Sequence, residues 1–306
     1  MKTCFLFPGQ GSQKANMGID LLHISTKAKL IFESASDIFK KDLLKISQSY
    51  TEQELQKPNI CQPLIVATNL AAFSALEEKG IVPNFLLGHS LGQYCALFAA
   101  KVLSLEDTFK ILKIRVEAIE NLKLEEKCGM CAIIGADVEK IEIACKQASS
   151  YVVCANYNSP TQTVVSGKIN GIEEVVKNLE GIAKRCVFLN VSHAFHSEIM
   201  LPAAEEFEEK IKAFTFSSPK IAIYSNVTGE KIKKQSNIKS LLVKHLTNPV
   251  LFTKALFNLK DENVETFVEL GEKTISSLVR KTLKNAKTLN VYNKNSFNLT
   301  LNFFEN

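Results

Sequence analysis

The stretch Phe85-Leu86-Leu87-Gly88-His89-Ser90-Leu91-Gly92 joins a short apolar run to the pattern G-x-S-x-G. An apolar strand that runs directly into this pattern is typical of a nucleophile elbow, a tight strand-to-helix turn that raises a serine hydroxyl above a sheet. The two glycines allow the strand and the helix to approach closely. Residues 91–103 are apolar and alanine-rich, as expected of a helix buried behind the elbow. An ordinary buried turn is the alternative, but this context favours Ser90 as a nucleophile.

The length and composition are typical of a globular protein that could form one large α/β domain, alone or with a smaller domain attached. Of its 306 residues, 46% are hydrophobic and 23% are charged. Residues 4–7 are too short for a signal-peptide core, and we expect no apolar run long enough to span a membrane. Eight cysteines without such a signal indicate reduced thiols in a cytoplasmic protein. The net charge of +5 gives no nucleic-acid signature. Lysine groups at 231–234 and 280–287 are either a solvated surface or a weak docking face for an acidic protein.

The C-x-x-C pair Cys128-Gly129-Met130-Cys131 has three interpretations. A zinc site would need a second ligand pair, and a thioredoxin-like redox motif would open a helix. Because Met130–Ile134 has a strand pattern, we expect two thiols at the start of a strand and no metal site.

The middle of the chain has its own order of elements. Strand and helix patterns alternate there as βαββαβ, the split-βαβ order of a ferredoxin-like module, with strands at 130–135, 151–156, 161–166 and 185–191 and helices at 137–149 and 170–180. We therefore predict a small subdomain at 128–191, inserted into a large parallel-rich α/β subdomain made of 1–127 and 192–306.

The large subdomain alternates strands with longer helices. We predict strands at 4–7, 221–224 and 264–269 and helices at 26–40, 62–79, 105–122 and 198–213. Residues 293–306 are rich in asparagine, and we expect them to form a loosely attached tail.

A serine nucleophile needs a base, and the chain has five histidines. His89 lies inside the elbow, which keeps it from facing Ser90, and His23 has no partner in view. His193 and His196 lie in the motif Ser-His-Ala-Phe-His-Ser at a strand end, where the active sites of open α/β sheets gather. A buried structural histidine is the usual alternative.

The acid of a hydrolase triad should lie between the serine and the histidine in the chain. Here that interval is the inserted module, where Asp137 occupies a helix-capping position. We therefore predict a Ser–His dyad, with the imidazole oriented by backbone carbonyls.

Arg115 is the second indication of function. On the helix at 105–122 it lies nearly opposite the polar face, so it is turned toward the core. A buried unpaired charge costs several kcal/mol, so this arginine needs an anion. Either an internal Asp or Glu or a substrate carboxylate satisfies that need.

The first strand ends in Phe7-Pro8-Gly9-Gln10-Gly11-Ser12-Gln13. This is neither a dinucleotide-binding loop nor a Walker loop, because the third glycine and the G-K-[ST] signature are missing. It is either a plain tight turn or the donor of one oxyanion-hole N–H, with the N–H of Leu91 as the second donor.

Together these residues resemble the malonyl-CoA:acyl-carrier-protein transacylase family of fatty acid synthesis. The resemblance covers residues 3 to about 292 and rests on motifs in the family's order, namely FPGQGSQ at 7–13, GHSLG at 88–92, Arg115, NYNSP at 156–160, HAFHS at 193–197 and NPV at 248–250. It implies an α/β-hydrolase-like large subdomain with a parallel-rich sheet and an inserted ferredoxin-like subdomain.

The resemblance also implies roles. Ser90 would be the nucleophile, His196 the base, and the backbone of Gln10 and Leu91 the oxyanion donors. The substrate-binding residues would be Arg115, as clamp for the malonyl carboxylate, with Phe195, Asn158 and His245; the HAFH form of the motif resembles malonyl-specific transferases. The expected partners are malonyl-CoA and acyl carrier protein, with no cofactor, no metal, no nucleic acid and no membrane, for a monomeric cytoplasmic enzyme.

Two positions depart from the family pattern. His245 stands where the family usually has Gln, on an apolar helix face that turns it inward, and Gln93 stands where it has Glu. We expect protonation of His245 to add an acid limb to the activity.

Three alternatives stay open at this stage. A serine hydrolase would share Ser90 and His196 but would not need Arg115. A transferase that serves a polyketide synthase or a malonate decarboxylase would share every residue. A silent scaffold within a larger synthase is the non-enzyme alternative.

Overall fold

The structure, a computed structural model, describes residues 1–191 and 193–306. Within that part of the chain the strands are β1 (Lys2–Phe7), β2 (Phe85–Gly88), β3 (Cys128–Ile134), β4 (Val152–Ser159), β5 (Gln162–Lys168), β6 (Arg185–Phe188), β7 (Ala222–Tyr224), β8 (Val264–Leu270) and β9 (Lys287–Val291). The α-helices of the described residues are α1 (Ala28–Phe39), α2 (Leu43–Ser49), α3 (Pro58–Glu77), α4 (Gly92–Ala99), α5 (Leu105–Asn121), α6 (Val138–Gln147), α7 (Ile169–Asn178), α8 (Leu201–Lys210), α9 (Ile238–Lys244), α10 (Phe252–Asp261), α11 (Ser276–Thr282) and α12 (Lys294–Glu305).

The larger sheet is parallel and has the order β7-β2-β1-β8-β9. Helices cover both of its faces, which is why β1 and β2 are nearly continuous apolar runs. β1 and β2 are paired so that Phe7 lies opposite Gly88. The turn after β1 therefore lies beside the elbow after β2, at the carboxyl edge of the sheet.

The smaller sheet is antiparallel and has the order β4-β5-β3-β6. With α6 and α7 packed on it around a separate apolar core, it is the predicted ferredoxin-like module. The predicted fold class is confirmed. The boundaries 1–127, 128–191 and 192–306 stay a prediction, and Ser192 itself lies outside the described residues.

One local prediction is confirmed, and another is wrong. The pair Cys128 and Cys131 begins β3, as expected. The segment 293–306, expected to be a loose tail, is helix α12. Asn293 caps this helix by accepting a hydrogen bond from the Ser296 N–H at 2.8 Å, and Phe297 packs in the core. An asparagine is a favourable N-cap, so Asn293 marks the start of a helix here.

The expectation that no segment reaches membrane-span length was also wrong for one helix. By length and composition α3 could cross a membrane, with a mean hydropathy of 1.3 over 18 residues. In the structure 94% of that window is buried. The helix is apolar on all sides because it lies inside the fold, between α1, α4 and α5.

Candidate active site

The elbow holds Ser90 in a strained turn between β2 and α4. Ser90 has a φ of 49°, a left-handed conformation that costs a non-glycine residue free energy and persists only where the surroundings hold it. The turn around it is tight, because a Cβ on Gly92 would lie 2.0 Å from the carbonyl oxygen of Phe7, so only glycine fits at position 92. The predicted elbow is therefore formed, and Ser90 borders a cleft of about 260 Å³ between the two subdomains.

His196 is in place to act as the base. Its Nε2 lies 2.8 Å from the Ser90 Oγ, and its Nδ1 lies 2.8 Å from the carbonyl oxygen of His245. Since a carbonyl can only accept, Nδ1 carries the proton, and Nε2 is left to accept the serine proton. Within the described residues no carboxylate pairs with His196. The structure thus has the predicted dyad, oriented by a backbone carbonyl.

The surroundings keep His196 neutral. Burial, and secondarily the charge of Arg115, lower the pKa of His196 from 6.5 to about 3. The pKa of His245 is lowered well below its ordinary value, again by burial first and then by the charges of His196 and Arg115. A neutral imidazole is the form that accepts a proton, so His196 can accept one at physiological pH.

These two buried histidines should make the fold sensitive to acid. The unfolded chain binds protons near pH 6.5 while the folded chain leaves both rings neutral, so the free energy of unfolding falls as the pH falls. We expect a loss of about 1.5 kcal/mol for each histidine between about pH 6.5 and about pH 5. Urea unfolding across this range measures the loss. His245→Gln should remove the contribution of one histidine to this slope, and a slope equal to that of the parent would contradict this.

Two backbone donors face the cleft as an oxyanion hole requires. The N–H groups of Gln10 and Leu91 have no hydrogen-bond acceptor within the described residues, and both residues line the cleft with Ser90. The turn after β1 reaches this position because residue 9 is glycine. A Cβ there would lie 2.5 Å from the His89 carbonyl oxygen and 3.3 Å from the Leu91 nitrogen. The plain-turn alternative explains neither the close approach nor the free donors.

Arg115 is buried in the wall of the same cleft. It is 3% exposed, and within the described residues no carboxylate pairs with it. Its Nη1 donates to the Oε1 of Gln62, its Nε has no partner among the described residues, and the ring centres of Tyr94 and Phe195 each lie 5.9 Å from its guanidinium carbon. The internal-carboxylate alternative for Arg115 was therefore wrong. A buried, uncompensated guanidinium beside a nucleophile is suited to bind an anionic substrate group.

Gln62 is a site residue that the sequence analysis missed. It is fully buried in α3, and its side-chain amide lies between Arg115 and the Oε1 of Gln10, with 3.3 Å between its Nε2 and that oxygen. The available signal was a polar residue within the apolar α3 sequence. Its neutral amide holds the guanidinium in place without cancelling its charge.

The other predicted residues occupy distinct places. Asn158 lines the cleft and accepts a hydrogen bond from the His89 Nε2 at 2.7 Å, so His89 is turned away from Ser90 as predicted. Phe195 also lines the cleft. His193 lies against Phe195, with 5.8 Å between the ring centres. His245 is buried, but it lies behind His196 and is not among the residues that line the cleft. This placement does not fit the predicted contact of His245 with substrate.

Asn226, also missed from the sequence, supports the elbow from below. Its Oδ1 accepts the Ser90 N–H at 2.8 Å, and its Nδ2 donates to the Gly88 carbonyl at 2.8 Å and to the Oε1 of Gln93. One buried amide thus ties together three positions of the strained turn.

We expect Asn226→Ala to damage both stability and catalysis. It leaves buried donors and acceptors unpaired, at a cost of about 1–3 kcal/mol each, and lets the elbow relax. Urea unfolding and the acylation rate of Ser90 measure the two effects, with an expected rate loss of roughly 10- to 100-fold. Thr228→Ala, which removes one exposed loop hydrogen bond, is the matched control. An Asn226→Ala protein whose acylation rate equals that of Thr228→Ala would show that the elbow keeps its conformation without Asn226.

Fold and site together fit an acyltransferase, with a serine hydroxyl and a histidine in hydrogen-bond contact beside a buried arginine. Residues 4–298 match the family model described as acyl transferase domain. The malonyl CoA-acyl carrier protein transacylases of Bacillus subtilis (strain 168) and Staphylococcus aureus (strain COL) are each 35% identical, over 98% and 95% of this chain and 96% and 95% of their own. The chain belongs to the malonyl CoA-acyl carrier protein transacylase family.

Solved structures of the family agree closely with this fold. The transacylase of Clostridium perfringens superposes with a TM-score of 0.94 at 31% identity, over 100% of this chain and 98% of that one. A structure titled as a type II PKS acyl-carrier protein in complex with its malonyl-transacylase gives a TM-score of 0.95 at 29% identity, over 99% of this chain and 100% of that one.

Proposed function

We propose that this protein transfers the malonyl group of malonyl-CoA to the phosphopantetheine thiol of acyl carrier protein, for fatty acid elongation. The observation that carries the proposal is Arg115, a buried guanidinium without a carboxylate, in the same cleft as Ser90 and His196. An acyl group with a second, free carboxylate satisfies this arginine, whereas acetyl does not. The names of the relatives support the same donor and acceptor.

The first half-reaction loads the serine. Arg115 binds the malonyl carboxylate, and the thioester carbonyl points at the N–H groups of Gln10 and Leu91. His196 takes the proton of Ser90 as Oγ attacks the carbonyl carbon, and the two N–H groups stabilise the oxyanion. The tetrahedral intermediate then expels the CoA sulfur, to which His196 returns the proton. The product is a malonyl ester on Ser90.

The second half-reaction reverses the first with a new thiol. The phosphopantetheine thiol of the carrier protein enters the cleft and loses its proton to His196. The sulfur attacks the ester carbonyl, and Ser90 leaves with the proton from His196. Because CoA departs before the carrier protein reacts, the kinetics are ping-pong.

Intact mass spectrometry tests the proposal. After brief incubation with malonyl-CoA, we expect a malonyl adduct that is discharged by added carrier protein, and a much slower adduct from acetyl-CoA. Acetyl and malonyl adducts that form equally well, or an adduct that only water removes, would overturn it in favour of a hydrolase.

One comparison favours a second acceptor. The structural relative bound to a type II PKS acyl-carrier protein shares this fold throughout. A competition between fatty acid and polyketide carrier proteins for the malonylated enzyme decides between the two pathways.

A further inference from the structure

His245 is a buried imidazole with unmet hydrogen-bonding capacity. It is 2% exposed, and its ring lies 5.0 Å from the ring of His196, at 48° to it. Its carbonyl oxygen accepts from His196, but neither of its ring nitrogens has a partner within the described residues. Buried polar groups of this kind are nearly always hydrogen-bonded, if not to protein then to an internal water.

The ring borders a small internal cavity behind the dyad. The cavity measures about 10 Å³, at the lower limit of the room that one water molecule needs. Three polar residues line it with His245, namely Gln93, Ser225 and Asn226, and the remaining wall is apolar, formed by Leu97, Val227, Ile232, Ile238, Leu241 and Leu242.

The polar wall offers groups that complement a water. The Gln93 Oε1 is engaged by Asn226, but its Nε2 donor has no partner within the described residues. The Ser225 Oγ accepts from the Val227 N–H at 3.2 Å and keeps its own proton free to donate. A water can accept from Gln93 or Ser225 and donate to the unprotonated nitrogen of His245, which gives it the two or more partners that a buried water requires.

We propose that this cavity binds one water that bridges the His245 ring to the Gln93 side chain, and that His245 is thereby a positioning residue for the dyad. The bridge closes a loop behind the reaction centre. On one side, the backbone carbonyl of His245 accepts a hydrogen bond from His196. On the other side, Gln93 accepts a hydrogen bond from Asn226, whose Oδ1 accepts the N–H of Ser90. The proposal rests on the proposed function only in taking Ser90 and His196 as the reacting pair.

The charges around His245 explain why residue 93 matters. The titratable or charged groups that act on the ring are His196, Arg115 and His89, all bases, and burial with these neighbours keeps the pKa of His245 low. A neutral ring facing a neutral Gln93 fits this setting. A carboxylate at position 93 would instead draw a proton onto His245 and place an imidazolium against His196.

The test combines a crystal structure with a double-mutant cycle. At 1.5 Å resolution or better, we expect one water within hydrogen-bond distance of a His245 ring nitrogen and of the Gln93 Nε2. The cycle uses Gln93→Glu, His245→Gln and the double variant, and measures the rate at which p-nitrophenyl acetate acylates Ser90 between pH 5.5 and pH 8. This readout needs neither malonyl recognition nor a carrier protein.

We expect Gln93→Glu to slow acylation about 10-fold below pH 7 and less above it. His245→Gln, whose amide still reaches the water, should make acylation insensitive to the residue at position 93, so the double variant should stay within about 3-fold of His245→Gln, because no imidazole remains to be charged. Leu97→Met, a volume-conserving change in the apolar wall, is the control. A cavity without the water, or a Gln93→Glu effect that is the same with and without His245, overturns the proposal. If neither p-nitrophenyl acetate nor malonyl-CoA acylates Ser90 in the parent, the dyad assignment fails, while the crystal structure still decides the water site.

Discussion

Replacing Ser90 by alanine is expected to abolish the malonyl adduct and to lower kcat about 10⁴-fold or more. In the proposed mechanism the acyl group forms an ester at this hydroxyl, and among the described residues the Ser90 Oγ is the hydroxyl that contacts the His196 Nε2, at 2.8 Å. The fold should survive, because the turn is held by the Ser90 N–H on Asn226 and not by the hydroxyl.

The dyad should behave as one unit. His196→Ala is expected to cost nearly as much as Ser90→Ala, and the double variant little more than either, since each residue is useless without the other. Intact mass and single-turnover transfer to carrier protein measure both. Ser240→Ala, an exposed serine on α9, is the control. A malonyl adduct that persists in Ser90→Ala would place the nucleophile elsewhere and defeat the assignment.

Replacing Arg115 by methionine is expected to separate specificity from stability. The value of kcat/KM for malonyl-CoA should fall about 10²- to 10³-fold, roughly 3–4 kcal/mol, because the substrate carboxylate loses Arg115, the one lysine or arginine among the described residues that line the cleft. The value for acetyl-CoA should stay the same or rise, because acetyl has no carboxylate to lose.

The stability of Arg115→Met should not fall with its malonyl activity. Arg115 is a desolvated charge with one neutral partner and an unpaired Nε. A methionine of similar length fills the space between Tyr94 and Phe195 without that desolvation cost, so the free energy of unfolding should be unchanged or higher. Arg115→Lys keeps the charge but loses the planar fork, and we expect an intermediate malonyl rate. A variant that is destabilised and loses both substrates equally would make Arg115 a structural residue.

Elements defined by local pattern could be predicted from the chain. The elbow, the βαββαβ order and the long helices were found because their glycines and apolar periods are short-range features. Composition predicts a loose tail at 293–306, whereas the structure has a helix there, because Asn293 and Ser296 cap its start through hydrogen bonds to each other's backbone. The elements α9, α10, α11 and β9 are harder to predict from the sequence, because they are short and their ends are set more by packing than by intrinsic propensity.

The sequence by itself determined the family and the core-facing Arg115, and it indicated Ser90 and His196 as the candidate nucleophile and base, because each is carried by a motif or a helical period. Only the tertiary structure decided what these residues contact. It showed that Arg115 has a neutral Gln62 for a partner, that Asn226 holds the elbow, and that His245 lies behind the base and not in the cleft. The reason is physical: these contacts join residues 49 to 136 positions apart, and the pairing of such distant groups depends on packing that no local pattern records.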